Sequence, residues 1–247
     1  MANWNDPRTT QRGFGASPSL NGEAVARAGY DMGLRRHMLS IYNYMASGVL
    51  LSGVVALLMD RLGYVQAMIG SPLMWLVMLS PLAIVFAMSF GQNRFSTATL
   101  QAMFWGFAVL MGMSLSTIFL VYTDASIAAT FFATAGAFAG LSLFGYTTKK
   151  DLSGFGTFLI MGVVGLLIAM IVNMFMQSSA LHLAISFIGV LIFAGLTAYD
   201  TQRLKMMYYQ VAGTDFAGKA IVLGALSLYL DFINMFQFLL SFMGSRE

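Results

Sequence analysis

The chain has 247 residues, 58% hydrophobic and only 9% charged, with a mean hydropathy of +0.76. A soluble domain carries about 25% charged residues, so a water-soluble globule is excluded and an integral membrane protein is implied. The net charge of +3 is small, and the lack of cysteine removes disulfides, thiolate metal sites and a cysteine nucleophile; the 20 methionines are read as packing, not metal binding.

Residues 1–33 are polar and rich in Gly, Asn, Arg and Ser, without apolar periodicity, and read as a mobile cytoplasmic tail. No cleaved signal peptide is expected, because the first apolar stretch begins only near Met38 and is long enough to span. About 20 apolar residues cross a bilayer. On that ruler residues 34–247 form one all-α, polytopic domain of seven segments: 38–59, 72–90, 97–121, 126–146, 155–176, 181–201 and 220–243. The breaks are DRLGY, GQNRFS, YTD, TTKKDLS, QSSALH and a long loop at 202–219. Gly136 and Gly140 in segment four have GxxxG spacing, and segment one is rich in small residues from Ser47 to Gly53. Both are expected to be helix-contact surfaces.

With the N-terminus inside, eleven Lys and Arg fall in the tail and inner loops, and only Arg61 and Arg246 fall outside. That asymmetry is the positive-inside pattern. It puts the tail and the 202–219 loop in the cytoplasm and, if segment seven crosses fully, the C-terminus outside. A re-entrant segment seven would return the C-terminus to the cytoplasm.

Several motifs fail. GTDFAGKA at 213–220 approaches a phosphate-binding loop but ends in Ala220, where a magnesium-binding hydroxyl is needed, and lacks a preceding strand. GFGAS and SGFGT lack the context of dinucleotide sites. No GxSxG or HExxH occurs, and His182, at the start of segment six, reads as interfacial. Neither a cofactor nor a nucleic-acid partner is expected.

Two carboxylates remain. Asp200 ends LIFAGLTAYD in segment six, and Asp231 lies inside LSLYLDFINMF in segment seven. At 100° per residue, Gly224, Ser227, Asp231, Asn234 and Ser241 fall within an arc of roughly 100°. His182, Ser186, Gly189, Thr197 and Asp200 likewise share a face, with Arg203 following one turn later. A carboxylate at a helix centre costs about 2.5–3.5 kcal/mol on insertion scales, so it needs a partner or a water-filled cavity. If the two faces meet, both aspartates cannot ionise cheaply; they share a proton and titrate as a pair. The alternative is a static hydrogen-bonded knot that only fixes helix register. A third possibility, intramembrane aspartyl proteolysis, has AYD at 198–200 in its favour. Against it, SLYLD at 227–231 puts bulky side chains where the second signature, GxGD, has glycines.

FGYTTKKDLSGFGTFL (144–159), LIFAGLTAYDTQ (191–202), ALSLYLDFINMF (225–236) and the seven-span profile resemble the transmembrane Bax inhibitor motif family, in a bacterial inner-membrane form. The resemblance covers about residues 35–243. It implies a non-enzymatic, pH-sensitive calcium leak pathway with an aspartate pair at the pore, matching Asp200 and Asp231, where calcium would bind transiently. It also implies an arginine latch from segment two, which Arg94 matches. Ser227, Asn234 and Arg203 would line or support the pore. A bacterial branch of the family associates with a membrane-bound AAA protease and modulates it. That is the alternative function, with the tail and the 202–219 loop as contact surfaces.

Overall fold

In the computed structural model, which describes residues 18–245 with side chains from residue 32 onward, every regular element is a helix. They are α1 (Pro18–Arg61), α2 (Tyr64–Met68), α3 (Pro72–Gly91), α4 (Thr97–Leu115), α5 (Asp124–Thr147), α6 (Ser153–Met176), α7 (Ser179–Val211) and α8 (Ala217–Met243). A 3₁₀ turn, Ser116–Leu120, extends α4. Seven of these are long and apolar enough to span a membrane. Helices are the expected solution because lipid cannot satisfy free backbone N–H and C=O groups. Three starts are capped by hydroxyls: Ser96 accepts from Thr99 N, Thr123 from Ser126 N, and Ser178 from Leu181 N.

Helix α8 is the hub. It packs against α1, α4, α5 and α7, and Val222, Ala225, Leu228 and Tyr229 on it are fully buried. Helix α6 is the opposite case, with Phe158, Met161, Ile168 and Phe175 among many exposed apolar side chains that a lipid belt would cover. At 27 residues, α8 is about 40 Å long at 1.5 Å per residue, more than the ~30 Å hydrocarbon core.

The observed ends lie within a few residues of the expected segments, with two exceptions. Helix α1 begins at Pro18, upstream of the expected domain boundary; residues 1–17 of the expected tail lie outside the described residues. Helix α7 runs to Val211, so the long loop expected at 202–219 shrinks to 212–216. Hydropathy falls after Thr201, but the helix does not stop. Leu204 remains buried, and Tyr208 packs its ring 5.3 Å from that of His37 on α1. The 33 residues of α7 measure about 50 Å, longer than the ~40–45 Å bilayer with its headgroups.

The expected role of Gly136 and Gly140 is corrected. A Cβ at either would meet nothing within 4 Å, so both face outward. The close approach on α5 is at Gly145, where a Cβ would lie 2.2 Å from Ala198 O of α7. Nine residues separate Gly136 from Gly145, which at 100° each puts them on opposite sides of the helix. On α1 the contacts are made by Gly48, against Phe104 and Tyr229, and by Ser52, while Gly53 meets nothing.

Candidate functional site

The two polar stripes face each other along the α7–α8 seam. At one end His182 Nε2 and Ser241 Oγ are 2.8 Å apart, and Ser186 Oγ donates to Ser241 Oγ at 3.0 Å. Further along, Gly189 leaves room for the ring of Phe238. Near the other end Gly224 receives Leu204 and Ile41. The aspartates lie between, both buried.

Asp200 is well supplied with partners. The Ser227 hydroxyl donates to its Oδ2, and Arg203 Nη2 lies 3.5 Å from its Oδ1. Arg203 Nη2 also donates to Ser227 Oγ at 3.3 Å, and its guanidinium sits 5.9 Å from the Tyr199 ring centroid. Asp231, one turn beyond Ser227 on α8, is different: its Oδ2 is buried and makes no hydrogen bond. Asp200 and Arg203 are close enough to act on it electrostatically. Among the described residues no hydrogen bond joins the two carboxylates directly; Ser227 stands on Asp200 instead. Asn234, one turn further, donates from Nδ2 to Leu230 O at 2.7 Å, leaving its carbonyl oxygen as an acceptor.

Two cavities meet at this point. One, about 440 Å³, is lined by Ser89 and Gln92 of the α3 end, by Arg203 and Met207 of α7, and by Leu223, Ser227 and Leu230. The other, about 310 Å³, is lined by α6 side chains such as Leu166 and Met170 and by Ser227, Leu230, Asp231 and Asn234. Ser227 and Leu230 therefore belong to both and form the wall between them. No group of three or more His, Asp or Glu able to hold a metal ion occurs among the described residues.

Arg94 is not brought to the pair. It lies exposed in the turn after α3, where its backbone N–H donates to Gly91 O at 2.8 Å, and its side chain has no partner among the described residues. The cation beside the carboxylates is Arg203, on the same helix as Asp200. The α3–α4 turn is instead tied to α8 by Lys219, whose Nζ donates to Gln92 O at 3.2 Å.

Sequence reasoning missed the anchor beside the site. Tyr229 Oη and Ser52 Oγ are 2.6 Å apart, and Ser52 Oγ donates to Ala108 O at 2.6 Å, joining α8, α1 and α4. Of the bulky residues of SLYLD, Leu228 and Tyr229 are core, while Leu230 is half-buried and lines both cavities. Periodicity could have flagged Ser52 as polar and Tyr229 as amphipathic, but not that they meet across 177 positions.

The 144–159 motif owes its shape to the α7 extension. Gln202 Nε2 donates to Lys150 O at 2.8 Å, and its Oε1 accepts from Leu152 N at 2.9 Å. Lys205 Nζ donates to Tyr146 O at 2.8 Å. Residues 34–247 match the family model described as inhibitor of apoptosis-promoting Bax1. The chain is 51% identical to an uncharacterized protein of Caulobacter vibrioides, over 88% of this chain and 91% of the relative. It is 45% identical to the uncharacterized protein RP147 of Rickettsia prowazekii, over 88% and 93%. It is 43% identical to the inner membrane protein YbhL of Escherichia coli, over 87% and 94%. With the seven spans, the braced 144–159 loop and a match over nearly the whole described chain, the protein belongs to the Bax inhibitor-1 family of membrane proteins.

Proposed function

We propose that the chain is a pH-sensitive cation leak pathway of a bacterial inner membrane, with its N-terminus cytoplasmic and its C-terminus outside, and that calcium is the ion it passes. The observation that carries this reading is the wall of Ser227 and Leu230 between two cavities, with a buried carboxylate on either helix beside it. Asp231 Oδ2 is buried and makes no hydrogen bond to the protein among the described residues. A buried polar atom left without a partner costs free energy, and a passing cation or proton would satisfy it.

The two aspartates have different partners. Asp200 has a guanidinium and a hydroxyl beside it, while Asp231 Oδ2 has neither among the described residues; with one proton on the pair the seam carries a single charge. Loss of the remaining proton would place two like charges across the α7–α8 seam, push the helices apart at Ser227 and Leu230, and join the cavities. Calcium suits the opened site because it takes several oxygen ligands in flexible geometry, here the two carboxylates, Ser227 Oγ and the Asn234 carbonyl.

The wall is tested in liposomes loaded with a calcium dye. Leu230→Ala should raise calcium influx several-fold over the parent, and Leu230→Trp should lower it towards that of empty liposomes. Equal influx for all three, at equal amounts of reconstituted protein, would remove this route from consideration.

A further inference from the structure

On a different face of α8 from the aspartates, α1 and α5 leave a cleft. Helix α1 packs on α4 and α8, and α5 on α7 and α8, but the two barely touch each other. The cleft is about 710 Å³ in its first section, running along α1 from Arg35 to Leu50, with Phe138 and Phe232 at its floor and Tyr146 at the Arg35 end. Val49 and Phe131 also line a second section of about 440 Å³, which continues to Arg61 and Asp124.

The two ends of this cleft differ in charge. At the far end Arg61 Nη2 is 2.6 Å from Asp124 Oδ2, so that guanidinium is neutralised. At the near end Arg35 is exposed and has no partner among the described residues, and Lys205 Nζ lies 4.9 Å from the Tyr146 ring centroid. Between the ends the lining is almost wholly apolar. The fifteen positions from Arg35 to Leu50 measure about 22 Å at 1.5 Å per residue, which is half of a ~40–45 Å bilayer including its headgroups. The first section therefore reaches from headgroup level to the midplane of one leaflet.

From this we infer a binding site for one anionic glycerophospholipid of the leaflet on the Arg35 side, with its phosphate at Arg35 and an acyl chain along Val49, Phe138 and Phe232. The charge at one end and the length of a single leaflet favour a lipid.

The test uses the full chain in mild detergent, with retained lipid read by native mass spectrometry after addition of phosphatidylglycerol or phosphatidylcholine. One phosphatidylglycerol per chain should be retained, about fivefold in preference to phosphatidylcholine, as one arginine at an anionic headgroup implies. Arg35→Gln should erase the preference while leaving the fold intact. Ala139→Phe, at an exposed position on the cleft wall, should abolish retention of both lipids. Equal retention of the two lipids by the parent overturns the inference, as does a preference that survives Arg35→Gln. A photo-cross-linker at position 139 that captures a protein segment from membranes instead of a lipid also overturns it.

Discussion

Replacing glycine by alanine at two positions of the same helix should have opposite consequences. At Gly145 the added methyl would lie 2.2 Å from Ala198 O and 2.9 Å from Ala198 Cα. Both are backbone atoms of α7 that cannot rotate away, so α5 must move. Overpacking of this kind costs about 1–3 kcal/mol. At Gly136 the methyl meets nothing. The gain in helix propensity, about 1 kcal/mol, is common to both positions and cancels in the comparison. Gly145→Ala should therefore fall below Gly136→Ala by about 1–3 kcal/mol, and by the upper part of that range because the contact is backbone to backbone. At roughly 2–4 °C per kcal/mol for a chain of this size, the melting temperatures should differ by about 4–12 °C. Tryptophan fluorescence during thermal unfolding in detergent reads this directly. Equal midpoints, or a lower midpoint for Gly136→Ala, would refute the orientation of α5 and with it the seat of Ala198 two residues before Asp200.

Further outcomes bear on the site and its frame. Arg203→Gln removes the cation beside Asp200, and the pH midpoint of the calcium-flux response should move with it. Arg94→Gln, at an exposed position without a partner among the described residues, should leave that midpoint unchanged; a shift there and none at Arg203 would restore the latch to Arg94. In the loop before α6, hydrogen bonds from the Ser153 side chain and backbone N–H hold the Asp151 carboxyl below the usual carboxylate range. A depressed folded value adds stability above the unfolded value and loses it as pH falls. Asp151→Asn should thus lower the thermal midpoint at pH 7, and the gap should close as pH falls from about 3.9 through the lower folded value.

The spans were legible in the sequence because hydropathy measures what lipid demands of a side chain, and that demand is local. The facing stripes were legible for a related reason: an α-helix fixes which residues share a side, and polar residues avoid lipid. Asp200, Asp231, Ser227 and Ser241 were all readable from 100° spacing alone. What hydropathy could not give was where a helix ends once it leaves the membrane. Residues 202–211 are polar enough to resemble a loop, yet Leu204 and Tyr208 still bury one face. Nor could spacing tell which small residues touch a neighbour. Gly136 and Gly140 carry the GxxxG spacing and face outward, while Gly145 and Gly112, neither with a glycine four residues away, meet backbone. The choice between Arg94 and Arg203 needed the same tertiary knowledge, since Arg203 lies against Asp200 while Arg94 is exposed in the turn after α3.

The proton-gated route through the Asp200–Asp231 pair is tested most directly by calcium influx into liposomes from pH 6 to 8, parent against Asp231→Asn. The parent should show influx above empty liposomes that rises as the pair loses its proton. The variant, which cannot ionise at position 231, should give a flat response across that range. Equal influx from parent and variant at every pH would contradict it.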